Sequence, residues 1–77
     1  MNIIQCRMAR VALDWSLQDL ADASGVSRRT VARFEAGETV LAARVQALRQ
    51  AFENEGVRFI DDGDMRGGVF PPRDRKD

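Results

Sequence analysis

The stretch from residue 16 to residue 37 constrains the fold most, because it carries the start and stop signals of two short helices joined by a tight turn. Ser16 and Ser27 each precede a helical pattern, and a serine hydroxyl there can accept hydrogen bonds from the free N–H groups of a helix's first turn. Asp19 completes a variant of the reciprocal capping box with Ser16. Gly25 lies where the first helix must end, in a left-handed turn that glycine tolerates. The stretch therefore predicts a compact pair of helices.

The second helix of this pair is predicted to have a basic outer face. At about 100° per residue, its charged and small residues fall on one side, formed by Arg28, Arg29, Ala32 and Arg33. Arg28 and Arg29 lie in the first turn, where the helix dipole disfavours cations, and no acidic residue on that face compensates them. The alternative to a functional role is that this face is charged only because it is exposed to solvent. Residues that destabilise a helix locally tend to collect where function needs them, so these arginines favour a functional role. A basic helix after a tight turn is typical of proteins that enter the DNA major groove.

The composition limits the classes of function. A chain of 77 residues allows one domain with a modest core, and no apolar run is long enough to span a membrane. The first residues lack the layout of a signal peptide, and the one cysteine cannot form an internal disulfide, so a cytoplasmic location is expected. Because there is no histidine, Cys6 has no partner for nucleophilic catalysis or for a Cys–His metal site. We expect no enzyme, no metal and no cofactor, and Cys6 as a partly buried small apolar residue.

Charge is balanced overall but not along the chain. Twelve basic and 12 acidic residues give a net charge of zero, which counts against indiscriminate coating of nucleic acid. Acidic residues gather further along the chain, at Glu53 and Glu55 and then at Asp61, Asp62 and Asp64. We therefore expect a polarised field that is basic near the three arginines and acidic at the far end.

Two further helices are predicted around the central pair. Residues 3–14 repeat apolar side chains at helical spacing, and the predicted core face is Ile4, Met8, Val11 and Trp15. Residues 40–54 form the other predicted helix, with a core stripe of Leu41, Val45, Leu48 and Phe52. Thr39 is a plausible cap for this helix, and Gly37 and Gly56 are predicted to close the third and fourth helices.

The C-terminal residues have a different character. Residues 57–60 and 66–70 are β-prone and separated by a turn signal, which predicts a small β-hairpin or two extended segments. A lone hairpin is marginally stable in water, so this segment must pack on the helices or pair with another chain. Val57, Phe59 and Ile60 supply apolar side chains for a homodimer contact. The predicted organisation is a DNA-binding domain at 1–56, the β-prone segment at 57–70 and a disordered tail at 71–77.

Residues 7–56 resemble the Xre family of helix-turn-helix proteins, to which the repressors of phages lambda and 434 belong. The residues that carry the resemblance are Arg10, WSLQDLA at 15–21, Gly25-Val26-Ser27 and VARFEAG at 31–37. The C-terminal GVRFIDD and GGV also resemble the ending of short bacterial members. The resemblance implies a mainly α fold: a four-helix, lambda-repressor-like domain followed by a short β-hairpin or extended segment.

The family pattern also implies roles for individual residues. The recognition helix would begin at Ser27 and contact base edges or phosphates of double-stranded DNA in the major groove. The predicted DNA-binding residues are Ser16, Gln18, Ser27, Arg28, Arg29, Thr30, Ala32 and Arg33. Arg10 would pair with Glu35, the alternative being two unrelated surface charges. Many members have a glutamine at the position of Leu17, and that glutamine binds a phosphate. In this chain the phosphate contact is lost, is made by backbone N–H groups, or is made by Gln18.

Two classes of function follow from the sequence. The first is a sequence-specific transcriptional regulator, a repressor or autoregulator that binds a palindromic operator as a homodimer. The second is an antitoxin or anti-activator that binds a partner protein through residues 57–70. A toxin-like neighbouring gene would favour the second class, and divergent promoters would favour the first.

Overall fold

The structure, a computed structural model, describes residues 1–60 and 67–72 and consists mainly of helices. The elements in chain order are α1 (Ile3–Ala12), α2 (Leu17–Ser24), α3 (Arg28–Glu35), α4 (Ala42–Asn54), β1 (Arg58–Phe59) and β2 (Val69–Phe70). The two strands are antiparallel, with Arg58 opposite Phe70 and Phe59 opposite Val69. The predicted fold class, four helices with a short C-terminal hairpin, is confirmed.

The predicted capping signals set the boundaries of α2 and α3. The hydroxyl of Ser16 accepts a hydrogen bond from the backbone N–H of Asp19 at 3.0 Å, and the Asp19 carboxylate accepts one from the Ser16 N–H at 2.9 Å. Gly25 ends α2 with a φ of 76°, in the left-handed region that glycine adopts without strain. The hydroxyl of Ser27 then accepts from the Thr30 N–H at 3.1 Å and starts α3. The tight turn between the helices is therefore fixed by local chemistry.

The predicted core face of α1 is wrong. Ile4, Met8 and Val11 are 59 %, 40 % and 73 % exposed. The face that enters the core lies about 180° away on the helical wheel and consists of Cys6, Ala9 and Leu13. Small side chains at positions 6 and 9 let α1 pack closely against its neighbours.

Trp15 follows α1 and, unlike the rest of the predicted stripe, packs against the core. It stacks on Phe52 of α4 with 5.8 Å between the ring centroids. The helix itself ends at Ala12 rather than at residue 14, and Asp14 has a φ of 56°. Trp15 is therefore held by the turn after α1 and not by the helix.

The predicted stripe of α4 is right in its second half and wrong at its start. Leu48 and Phe52 are fully buried, and Val45 is partly buried. Leu41 is 71 % exposed because it precedes the helix as its N-cap residue. The N-cap position is Leu41, which makes no side-chain cap, so the predicted capping role of Thr39 is also wrong. Gly37 and Gly56, both with a φ of 93°, follow the ends of α3 and α4 as predicted.

The hairpin packs on the helices of its own chain. Phe59 is 9 % exposed and meets the ring of Phe52 edge-on, and Val57 is 2 % exposed. The buried side-chain amide of Gln5 donates hydrogen bonds to the backbone oxygens of Ile60 at 3.3 Å and Gly68 at 3.2 Å. Val57 and Phe59, which the sequence assigned to a homodimer contact, are therefore buried in the core of their own chain. Ile60 is half-buried, and dimerisation itself stays a prediction.

Some predictions concern residues that the structure does not describe. The acidic cluster of Asp61, Asp62 and Asp64, the start of the second β-prone run and tail residues 73–77 lie outside the described residues. Of the predicted tail, Pro72 is described and lies beside Gly56. Over 1–60 and 67–72, none of the helices is both long enough and apolar enough to cross a membrane.

Candidate nucleic-acid interface

Helix α3 buries one face and exposes the other. Val31, Phe34 and Glu35 are 0 %, 9 % and 7 % exposed, and they pack against α1 and α2. The side chains of Arg28, Arg29 and Arg33 are on the exposed side. The helix is thus fixed to the body of the domain along its apolar face, and its basic face is presented to the outside.

Arg28 and Arg29 occupy the first turn of α3 and are exposed. Neither side chain makes a hydrogen bond or ion pair with another residue in the described part of the chain. Two cations at the N-terminal end of a helix oppose the helix dipole. Their guanidinium groups have all their donors available for a ligand with acceptor atoms.

Arg33 differs from these two arginines because it has an acidic partner. Its Nε lies 2.9 Å from Oε1 of Glu38, and the side chains are 52 % and 54 % exposed. The expectation that nothing compensates the basic face is therefore wrong for Arg33, because the loop after α3 brings Glu38 back to it. An ion pair this exposed is worth only ~0–1 kcal/mol, so a phosphate can displace Glu38.

The remaining predicted contact residues lie around the start of α2 and α3. The hydroxyls of Ser27 and Thr30 are 2.9 Å apart and hydrogen-bonded. The Gln18 amide nitrogen donates to Oδ1 of Asp22 at 2.8 Å, on the exposed surface of α2. Ser16 is exposed but occupied as the cap of α2, and Ala32 is half-buried within the basic face. All eight predicted residues lie within two adjacent elements, α2 and α3, or their caps.

At Leu17 the chain departs from the family pattern, and the packing of this side chain gives the reason. Its side chain is partly buried and packs against the core, in place of the glutamine that many members have there. An apolar side chain at this position stabilises the base of α2 but supplies no hydrogen-bond donor.

A groove beside α3 contains a residue that sequence reasoning missed. Its volume is about 180 Å³, and it is lined by Thr30, Arg33, Thr39, Val40, Leu41 and Arg44. Arg44 is exposed, and its side chain has no hydrogen bond or ion pair within residues 1–60 and 67–72. The sequence signal that could have identified Arg44 is a basic residue in the first turn of the helix that follows the motif.

The C-terminal end of α3 is held by a buried carboxylate. Arg10 donates to Glu35 from Nε to Oε2 at 2.9 Å and from Nη2 to Oε1 at 3.0 Å, a bidentate pairing. Its third donor, Nη1, binds the backbone oxygen of Trp15 at 3.0 Å. The hydrogen bond to Glu35 raises the pKa of Arg10. The structure therefore brings together the two residues that the resemblance paired, and Glu35 lies inside the domain.

Two neighbouring residues of α1, which the sequence did not single out for this role, also contact Glu35. The thiol of Cys6 donates to Oε2 at 3.4 Å, and Nη2 of Arg7 donates to the backbone oxygen at 2.7 Å. Burial, and then the adjacent Glu35 carboxylate, raise the pKa of the Cys6 thiol to about 12. Cys6 is thus fully buried rather than partly buried. The contacts of Cys6 and Arg7 with Glu35 join residues that are 29 and 28 positions apart, so no local sequence pattern indicated them.

Comparison with known protein families agrees with this geometry. The chain matches a family model described as helix-turn-helix (HTH_3) over residues 7–55, a range that contains α2, α3, α4 and most of α1. No curated protein matches the chain. The matched range includes all the predicted DNA-binding residues as well as Arg10 and Glu35. The chain therefore belongs to the Xre, lambda-repressor-like family of helix-turn-helix DNA-binding regulators.

Proposed function

We propose that the protein is a sequence-specific transcriptional regulator, a repressor or autoregulator that binds a palindromic operator as a homodimer. The observation that carries the proposal is the pair Arg28 and Arg29, exposed and unpaired among the described residues at the start of α3. The opposite face of the same helix is buried, so the domain holds these side chains at a fixed surface. In a helix-turn-helix protein, the N-terminal residues of the second helix contact base edges in the major groove.

The chemistry of arginine favours guanine in the half-site. A guanidinium group can donate two hydrogen bonds to O6 and N7 of guanine, the commonest specific contact in the major groove. Ala32 adds little bulk between the arginines, so the backbone of α3 can approach the bases closely. We therefore expect at least one of Arg28 and Arg29 to bind guanine.

The groove between α3 and α4 supports a contact with the DNA backbone. Arg33 and Arg44 line it from the two helices, and Thr30 and Thr39 add hydroxyl groups. A phosphate entering this groove would compete with Glu38 for Arg33. Contacts of this kind set the position of the protein on DNA and carry little sequence information.

A homodimer accounts for a palindromic site. One domain of this size covers about one half-site, and dimers of this class bind half-sites about 34–36 Å apart. Since Val57 and Phe59 belong to the core, we place the contact on the outer side of the hairpin, where Phe70 is 43 % exposed. Phe70→Ser should weaken dimerisation in sedimentation experiments with and without operator. This variant is a cleaner test than truncation after Gly56, which would also remove core residues.

DNA selection from a random pool, followed by footprinting of the enriched sequence, tests the proposed function. We expect a guanine-containing palindrome, hereafter the selected site. A variant carrying Arg28→Ala and Arg29→Ala should enrich no such palindrome while keeping its helical content. A wild-type protein that enriches no sequence above the starting pool would contradict the proposal.

The alternative function, binding of a partner protein, has support from a different surface. Ile4, Met8 and Val11 form an exposed apolar stripe on α1, and Phe70 is exposed in the segment that the sequence assigned to a partner. Under this alternative, the product of a neighbouring toxin-like gene would bind in titration calorimetry. Met8→Lys would weaken that binding and leave the affinity for the selected site unchanged.

A further inference from the structure

Arg7 attaches α1 to the C-terminal end of α3, and contacts with bases or phosphates do not explain this attachment. Nη2 of Arg7 donates a hydrogen bond of 2.7 Å to the backbone oxygen of Glu35, the last residue of α3. Its Nε lies 3.9 Å from the carboxylate of the same residue, and its side chain is 53 % exposed. The contact joins two helices that are 28 residues apart in the chain.

The backbone oxygen of Glu35 needs a donor from outside the helix. The last carbonyl groups of an α-helix have no N–H partner within it. In α3, the preceding three carbonyls accept from backbone N–H groups of the following loop: Ala32 from Ala36, Phe34 from Gly37 and Arg33 from Glu38. The Glu35 oxygen accepts instead from Arg7, a cation at the end of the helix where the dipole favours one.

Arg7 and Arg10 hold different parts of Glu35. Arg10 binds the carboxylate with two hydrogen bonds, and Arg7 binds the backbone. The apolar face of α3 packs on α1 and α2, and the Arg7 contact adds a direct attachment of the backbone at the end of the helix, which further limits its tilt. Because Arg7 is half-exposed, its loss leaves no uncompensated charge buried, unlike the loss of Arg10.

We propose that Arg7 is a positioning residue for the recognition helix, which sets the angle of α3 on the domain without touching DNA. This inference rests on the proposed function, since it assumes that α3 binds DNA. Eight residues of α3 span about 12 Å. Arg7 therefore acts at the opposite end of the helix from Arg28 and Arg29, and a small tilt at its end moves both guanidinium groups relative to the bases.

Three variants test the proposal: Arg7→Ala, the conservative Arg7→Lys, and Arg58→Ala, which removes the same charge from β1 and is the control for the exchange measurement. Affinity for the selected site is measured at several salt concentrations, and amide hydrogen exchange is measured without DNA. We expect Arg7→Ala to weaken binding about tenfold, as the loss of one charge-assisted hydrogen bond would. Exchange should accelerate at Ala36, Gly37 and Glu38 but not at Val31. Arg7→Lys should restore part of both effects, and Arg58→Ala should leave exchange at these three residues unchanged.

The salt dependence separates positioning from direct contact. If Arg7 binds a phosphate, Arg7→Ala lowers the slope of log affinity against log salt by about 0.9, with exchange at the end of α3 unchanged. That result would overturn the proposal, as would unchanged binding and exchange, or faster exchange spread evenly over the domain. Exchange is measured without DNA, so it tests whether Arg7 holds the end of α3 even if the DNA selection contradicts the proposed function.

Discussion

The two ends of α3 differ in what surrounds their charges. At the N-terminal end, Ser27 caps the helix, and Arg28 and Arg29 extend outward without a partner among the described residues. At the C-terminal end, the single charge of Glu35 is buried and bound by Arg10 and Cys6 of α1, with Arg7 on its backbone. One end is fixed by the domain, and the other end is left with charges that a ligand can satisfy.

This difference assigns different effects to the two ends. Each first-turn arginine destabilises the helix by ~0.3–1 kcal/mol through the dipole, so its removal should not harm the fold. Removing a partner of the buried carboxylate leaves an uncompensated charge in the core. Removing a partner of the Glu35 carboxylate should therefore act mainly on stability, and removing Arg28 or Arg29 should act on DNA binding.

The largest expected effect follows from Arg10→Met. It leaves the Glu35 carboxylate buried with Arg7 3.9 Å away as its nearest cation, and we expect about 3 kcal/mol of destabilisation, since Arg10 is itself partly exposed. Chemical denaturation measures the loss. The matched control is Arg33→Met, which removes an exposed arginine of α3 from its partner Glu38 in the following loop and should change stability by ~0–1 kcal/mol. Equal melting temperatures for Arg10→Met and wild type would remove the distinction between the two ends.

The pH dependence of stability tests the burial of Cys6 beside Glu35. The folded thiol keeps its proton up to about pH 12, whereas an unfolded thiol loses it near pH 9. Between these values the folded state binds more protons, so stability should fall as the pH rises from 9 towards 12. There is no tyrosine or histidine to obscure this dependence. Cys6→Ala should lower stability at neutral pH and flatten the slope between pH 9 and 12; a slope equal to that of wild type would show that the thiol titrates normally.

A smaller effect is expected at the cap of the N-terminal end. Ser27→Ala removes the acceptor for the Thr30 N–H and should destabilise the domain by about 1 kcal/mol. Ser27→Gly should cost only a few tenths of that, since glycine is itself tolerated at this position. Thermal unfolding compares the two variants. A cost for Ser27→Ala as large as that of Arg10→Met would mean that the two ends of α3 are equally fixed.

The smallest effect is predicted for the exposed partner of Arg33. Glu38→Gln removes a carboxylate that competes with phosphate, and it should change stability by less than about 1 kcal/mol. Affinity for DNA of any sequence should rise a few-fold at low salt and return to the wild-type value at high salt. Fluorescence anisotropy at two salt concentrations measures this. Weaker binding by Glu38→Gln would indicate that the ion pair holds Arg33 in its binding position.

The parts of the fold that the sequence predicted correctly are those set by local chemistry. Ser16, Gly25 and Ser27 act through atoms a few residues away, so their pattern alone placed α2, the turn and α3. The apolar spacing of Leu48 and Phe52 likewise identified the core face of α4.

The errors arose where contacts between distant segments of the chain determine which residues are buried. Periodicity gave α1 a face of large apolar side chains, but the core takes the opposite face, where Cys6 and Ala9 allow a close approach. Gln5 is buried there because its amide satisfies two backbone oxygens of the hairpin, a partnership that no local pattern encodes. The Arg10–Glu35 pair was accessible only through the family resemblance.

The most direct test of the account is the ratio of affinities for the selected site and for random DNA, at one salt concentration. It is measured for wild type and for the double variant Arg28→Ala, Arg29→Ala. Each base-contacting arginine should contribute ~1–3 kcal/mol of specific binding, so the ratio should fall at least tenfold while the melting temperature stays the same or rises slightly. An equal loss on both DNAs, with the ratio unchanged, would show that these arginines bind only phosphate and would contradict the assignment of base contacts to this end of α3.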